Sequence, residues 1–219
     1  GGAKIKSVFT PGLTDVHFTN PFNGYVVGEK DIIRHTADGG QHWQYVKPTN
    51  AAGNAAPIPV LNGVWTTKPG RAIIVGNGGY VGKITGTTLV YSTLGTTNLL
   101  DVAVKSDTGY VVGQGGAAYI TKNAGATFTT IGSPSGAPAL RAIHIFQDKT
   151  MIAVGNQRIS YYNGSIWVNH NPAGLPPGLK FSDVFFHDDR TGYVVGSGGA
   201  GVGSIVLKSR FTKNIQKSA

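Results

Sequence analysis

"GYVVGEKDIIRHTADGGQHW" occupies residues 24–43. It sets a continuous apolar run, a polar turn, a second strand-like run and an Asp-Gly-Gly turn in one short stretch. Brief runs of this kind, divided by Gly, Asn and Asp turns, read as β-strands rather than helices. The same run returns as TGYVVG at 108–113 and at 191–196. Aligning the chain on the glycine that ends each run gives five units. They are LTDVHFTNPFNGYVVG (13–28), LNGVWTTKPGRAIIVG (61–76), LLDVAVKSDTGYVVG (99–113), LRAIHIFQDKTMIAVG (140–155) and FSDVFFHDDRTGYVVG (181–196). The anchor glycines, Gly28, Gly76, Gly113, Gly155 and Gly196, step by 48, 37, 42 and 41 residues.

Each unit offers a first strand (LxDVxF), a polar turn, a second strand (GYVVG) and a third such as DIIRHT, YVGKIT or SIVLKS; all but the fifth add a fourth. A period of about 40–45 residues with four strands per unit is the signature of a β-propeller blade. Blades are covered on both faces, which explains why YVVG is continuously apolar instead of alternating. The reading is an all-β, five-bladed propeller of four antiparallel strands per blade, in a single domain over 1–219. The units run 13–60, 61–98, 99–139, 140–180 and 181–210. The anchor glycines serve a positive φ or a close backbone approach, either of which a Cβ would obstruct. The fifth unit lacks a fourth strand, and residues 4–10 are expected to supply it and close the ring, with the tail 210–219 the competing choice. Closure would remove two exposed edges.

The chain has 219 residues, 33 of them glycine, and no cysteine. Disulfides and thiolate chemistry are thereby excluded. No apolar run approaches the ~20 residues of a membrane-spanning helix. Only 13% of residues are charged, yet the net charge is +9, which suits an anionic partner: an acidic protein, a membrane-associated complex or an acidic glycan. The charges are scattered rather than gathered in a block, which argues against a nucleic-acid arm. Low charge with abundant Gly, Thr and Asn fits an extracytoplasmic protein, whether periplasmic, cell-surface or secreted.

TADGGQHW (36–43) and TKNAGATF (121–128) share the pattern Ser/Thr-x-Asp/Asn-x-Gly-x-x-aromatic. Asp38 and Asn123 can accept backbone N–H groups, Gly40 and Gly125 can turn left-handed, and Trp43 and Phe128 can pack between blades. These residues resemble the BNR/Asp-box repeat family. The stretch LTDVHFTNPFNGYVVGEKDIIRHTADGGQHW looks specifically like repeats of photosystem II assembly-factor propellers. The resemblance implies a propeller that binds and assembles other proteins outside the cytoplasm. Two departures limit it: those factors resemble seven-bladed rings, and the pattern is absent from the second, fourth and fifth units.

Asp-box propellers include sialidases, which makes a sialidase-like glycoside hydrolase the third choice. Such enzymes resemble one another in an arginine triad, a Tyr–Glu couple and an Asp, and glycosidases generally need two carboxyls flanking the bond. Here Glu29 is the only glutamate and sits in a turn. No enzyme activity, cofactor or metal is expected. His17 and His144 hold a first-strand position that Trp65, Ala103 and Phe185 hold elsewhere, so it reads as a packing site. Asp15, Asp101 and Asp183 likewise match one another and read as hydrogen-bonded groups near the inner strand, with an acidic channel lining as the alternative.

Binding on a propeller falls to loops on one face or to the axis. The residues following the anchor glycines, Glu29, Asn77, Gln114, Asn156 and Ser197, recur around the ring, and with the aromatics Trp65, Tyr80, Tyr161 and Trp167 they would suit a lectin. In the pair Tyr161–Tyr162 only one ring need pack into the blade. Arg34, Lys83, Lys122, Arg158 and Lys208 lie in or beside third strands and would form a basic patch if they project together. The loops 47–60 and 170–180 are long enough to meet a partner. The first choice is a non-enzymatic binding or assembly scaffold for a protein partner, acting as a monomer or within a larger complex. A carbohydrate-binding lectin is the alternative.

Overall fold

Each anchor glycine marks where two stretches of backbone touch. In the computed structural model, which describes residues 12–47, 49, 52–55, 57–136, 138–171, 174–198 and 203–210, these glycines end the second strand in blades 1 to 4 and stand one residue from its end in blade 5. A Cβ at Gly28, Gly76, Gly113, Gly155 or Gly196 would collide with the carbonyl oxygen of Gly12, Val60, Asn98, Ala139 or Lys180 respectively. No positive φ is involved: Gly76 and Gly113 are both extended at φ −164°. Close approach alone explains the glycine.

Five antiparallel meanders result. Blade 1 is β1 (Leu13–Phe18), β2 (Gly24–Gly28), β3 (Ile33–Thr36) and β4 (Gln44–Tyr45). Blade 2 is β5 (Leu61–Lys68), β6 (Arg71–Gly76), β7 (Tyr80–Thr85) and β8 (Thr88–Thr93). Blade 3 is β9 (Leu99–Lys105), β10 (Thr108–Gly113), β11 (Ala118–Thr121) and β12 (Thr129–Thr130). Blade 4 is β13 (Leu140–Ile145), β14 (Met151–Gly155), β15 (Arg158–Tyr162) and β16 (Trp167–Asn169). Blade 5 has three described strands, β17 (Lys180–Phe186), β18 (Thr191–Ser197) and β19 (Ser204–Arg210). The expected closing strand at 4–10 lies outside the described residues, as does the tail beyond residue 210.

The first strands face one another around the axis, β1 beside β5, β5 beside β9, β9 beside β13 and β13 beside β17. The core is divided among the junctions. Tyr25, Val27 and Ile33 meet Leu61, Val64 and Ile74 between blades 1 and 2. Ile73 and Val75 meet Leu99, Val102 and Val111 between blades 2 and 3. Tyr110 and Val112 meet Leu140, Ile143 and Met151 between blades 3 and 4. Ile152, Val154 and Tyr161 meet Phe181, Val184 and Phe186 between blades 4 and 5. Successive residues of a strand point to opposite faces, so the β6, β10 and β14 runs feed two junctions at once and must be apolar throughout.

Candidate functional site

All five inner strands bulge at one place. The ladder to the second strand skips a residue just after Leu13, Leu61, Leu99, Leu140 and Phe181. A bulge leaves that residue outside the pairing, free to bond elsewhere. Thr14 Oγ1 donates to the Leu61 carbonyl and Asn62 Nδ2 to the Leu99 carbonyl, both at 2.7 Å and both across to the next blade.

The next residue carries the aspartates. Asp15 accepts Val16 N–H on one oxygen and Val64 N–H of blade 2 on the other, each at 2.7 Å. Asp101 accepts Val102 N–H at 2.7 Å and Ile143 N–H of blade 4 at 2.8 Å. Asp183 holds Val184 N–H at 2.7 Å. Two positions further on, His17 Nδ1 accepts Thr66 N–H at 3.0 Å, and His144 Nδ1 accepts Phe186 N–H at 3.4 Å. A ring nitrogen that accepts an N–H is unprotonated, so the remaining proton of each neutral imidazole sits on Nε2. The ring of His17 also stacks on Trp65 at 3.8 Å between centroids. The first-strand position is therefore a packing site, as expected, and an inter-blade clasp as well.

Burial sets the ionisation of this layer. It lowers His17 to about 4 and His144 to about 4, with Lys105 reinforcing the shift at His144 and Asp189 opposing it. Burial also raises Asp15, and raises Asp101 well above the carboxylate range with help from the neighbouring Asp15 and Asp183 charges. The accepted backbone N–H groups pull in the opposite direction without cancelling the effect.

The two Thr-x-Asp/Asn turns are bonded alike. Thr36 Oγ1 donates to Asp38 at 2.8 Å and accepts Gly40 N–H at 2.9 Å, while Asp38 accepts His42 N–H at 2.9 Å. Thr121 Oγ1 donates to Asn123 at 2.9 Å and accepts Gly125 N–H at 2.9 Å, while Asn123 accepts Thr127 N–H at 2.8 Å. Gly40 and Gly125 are left-handed, at φ +87° and +80°. Phe128 packs into the junction between blades 2 and 3, whereas Trp43 meets Phe18 edge-on. The exposed Asp38 carboxylate is held down at about 2, chiefly by the His42 backbone N–H and side chain. These turns fasten hairpins.

Other expected site residues disperse. Lys83 and Lys208 occupy equivalent registers, opposite Ile73 and Tyr193, but Arg34 lies one residue out of step, opposite Val26. Arg158 pairs with Gly155 at the anchor end of its blade, and Lys122 follows Thr121 at the other end. The register does not gather these five into one patch. After the anchor glycines, the N–H groups of Glu29, Asn77, Gln114 and Asn156 bond the Gly12, Val60, Asn98 and Ala139 carbonyls. The Asn77 side chain accepts from Asn62, and that of Asn156 from Arg141. Ser197 pairs with both Lys180 and Ser204. These residues therefore take part in building the turns.

The aromatic expectation is corrected in part. Tyr80 and Tyr161 are buried, and so is Tyr162, because Tyr161 and Tyr162 enter the junctions on opposite faces of blade 4. A sheet covered on both sides has no outward face for one of them. Trp167 is half-buried, leaning on Tyr162 and donating to the Gly132 carbonyl at 3.2 Å. The long loops are tied to blade edges: Thr49 bridges to Thr88, and Asn171 accepts Ile159 N–H at 2.6 Å.

Where four blades converge, a depression of about 540 Å³ opens at the far ends of the inner strands. Trp65, Lys105, His144, Gln147, His187 and Asp188 line it. It lies at the end opposite the anchor glycines, on the face made by the turns between first and second strands. Sequence reasoning named only Trp65 of this set as a binding residue, since Lys105, Gln147 and His187 look like ordinary turn residues. A second groove, of about 460 Å³, runs between β8 and the 125–128 turn, past Lys83, Val90, Tyr91 and Phe128. Among the described residues no group of His, Asp and Glu is arranged to hold a metal ion, and no helix is long and apolar enough to cross a membrane.

No family model matches the chain, and no curated protein matches it. Solved structures do. YCF48 from Cyanidioschyzon merolae superposes with a TM-score of 0.67 at 16% identity, over 94% of this chain and 72% of that one. YCF48 bound to a D1 peptide gives 0.57 at 16% identity, over 92% and 78%. A streptogramin B lyase gives 0.71 at 12% identity, over 91% and 69%. At such identities the likeness is one of fold, and the chain is an all-β propeller of the shape that these binding and lyase proteins share.

Proposed function

We propose that this protein is a non-enzymatic binding and assembly module that takes a protein partner on the face bearing the axial depression. The observation that carries the reading is the depression itself. An aromatic ring, an ammonium group, an amide and two imidazoles from four blades converge there on a rigid frame, a mixture suited to a peptide segment. His144, a half-buried imidazole, has its basic nitrogen occupied by Phe186 N–H. The carboxylate of Asp188 accepts Arg190 and Thr191 N–H at 2.7 and 2.6 Å. Both are thus committed to holding structure rather than to moving protons. The solved YCF48 structure with a bound D1 peptide supports the reading by likeness of fold. The net charge of +9 favours an acidic partner, and an extracytoplasmic location belongs to the same proposal, to be checked by cell fractionation.

Capture from native envelope extract, with washes in high salt and in mixed sugars, tests it. One stoichiometric protein should survive the sugars and be released by salt. Capture should fall at least tenfold with Lys105→Glu and His187→Glu together, and persist with Gln114→Ala on the opposite face. Release by sugars alone, or loss only with Gln114→Ala, would replace this reading with the lectin one.

A further inference from the structure

The ring has one junction unlike the others. At the position just before the bulge, Leu61, Leu99, Leu140 and Phe181 are fully buried, but Leu13 is 50% exposed. Val16 is 53% exposed where Val64 and Val102 are 1%. On the far side of blade 5, Phe185 is 61% exposed, and Tyr193 is 42% exposed where Tyr25 and Tyr110 are 1%. Blade 1 and blade 5 thus each present, uncovered, the face that every interior junction buries. Among the described residues no core cluster joins them.

The hydrogen bonding says what fits. Asp-bearing and Asp-less blades alternate: Asp15, Gly63, Asp101, Ala142, Asp183. An Asp-bearing strand satisfies its own following N–H, as Asp15 does for Val16, Asp101 for Val102 and Asp183 for Val184. An Asp-less strand cannot, and its N–H at Val64 or Ile143 is taken by the second carboxylate oxygen of the blade before it. Asp183 has no such inter-blade bond among the described residues. Were blade 1 its neighbour, it would meet a second carboxylate and an N–H already engaged by Asp15. A second copy of the chain docking through blade 1 would present the same mismatch.

We propose that the open face of blade 5 is covered by a further repeat unit of the Asp-less kind, with Gly or Ala at the aspartate position and a free backbone N–H for Asp183. Such a unit continues the alternation and buries Phe185 and Tyr193 as its counterparts are buried elsewhere. The YCF48 and streptogramin B lyase structures carry additional chain beyond the part that superposes, consistent with more blade in the ring.

The test is to append, after Ala219, a copy of residues 61–98 (Asp-less) or of residues 99–139 (Asp-bearing). The Asp-less graft should raise Tm by at least about 5 °C, and Asp183→Ala should remove most of that gain while altering the unextended chain little. An equal gain from the Asp-bearing graft, or no gain from either, overturns the proposal. The unextended chain gives an independent check by tyrosine nitration: Tyr193 should react at least tenfold faster than Tyr25 and Tyr110. An unreactive Tyr193, or sedimentation as a dimer that protects it, would show that the face is already covered and would equally overturn the proposal.

Discussion

His17 and His144 are held neutral by burial and by the N–H each accepts, with folded pKa values of about 4 against an ordinary 6.5. The unfolded chain therefore takes up protons near pH 6.5, where the folded chain does not. By linkage, their contribution is complete above pH 6.5 and is lost as the pH falls toward 4. The loss is at most about 3 kcal/mol for each ring, and less to the extent that solvent reaches it. His17→Asn with His144→Asn keeps an acceptor near the Nδ1 position and removes the titration. The double variant should be less stable at pH 7, for want of the Trp65 stack, yet its denaturant midpoint should change less between pH 6.5 and 4. An unchanged slope would mean that the two rings are not held neutral. The sequence showed these histidines aligned with Trp and Phe, which disclosed the packing. It could not disclose the hydrogen bond, which joins backbone 49 residues away in one case and 42 in the other.

At the scale of the element, the anchor glycines and the Thr-x-Asp/Asn turns were legible because each is a local pattern repeated in register. Gly155→Ala should cost about 3 kcal/mol or more, since its Cβ meets backbone rather than a side chain that can move aside. Thermal unfolding would show the loss, and a Tm within a degree of wild type would mean that the Ala139 carbonyl can yield. Thr36→Val keeps the shape but leaves the Gly40 N–H without its acceptor, an expected loss of about 1–2 kcal/mol, read as a lower urea midpoint with the same m-value. The inner-strand bulge was less visible. The third unit's leading leucine stands fourteen residues before its glycine instead of fifteen, but it bulges like the others and loses that residue from its turn, since Val104 faces Gly109 as Phe18 faces Gly24. The outer strands β4 and β12 are two residues each, because chain beyond those pairs belongs to turns and connections. The alternation of aspartates stood in plain view, but its meaning required the partner strand.

Over the whole molecule, repetition gave the architecture readily and left the site obscure. A blade-type strand recurs because each blade faces the same problem of covering two surfaces. A residue proposed for binding, such as Lys105 or His187, need occur only once, so periodicity cannot find it. The division of the core among junctions has its own consequence for how the fold comes apart. No blade carries a hydrophobic centre of its own, so stability is a sum of neighbour couplings, as in a one-dimensional array. Among the described residues, blades 2, 3 and 4 are each clamped on both sides, while blades 1 and 5 are clamped on one. Amide exchange should therefore be slowest in β6, β10 and β14 and fastest in β1 and β19, with opening that begins at the two terminal blades and travels inward. Uniform protection across all five second strands would contradict that order. Melting from the ends like a frayed rope would make the molecule a chain of couplings rather than a single cooperative body.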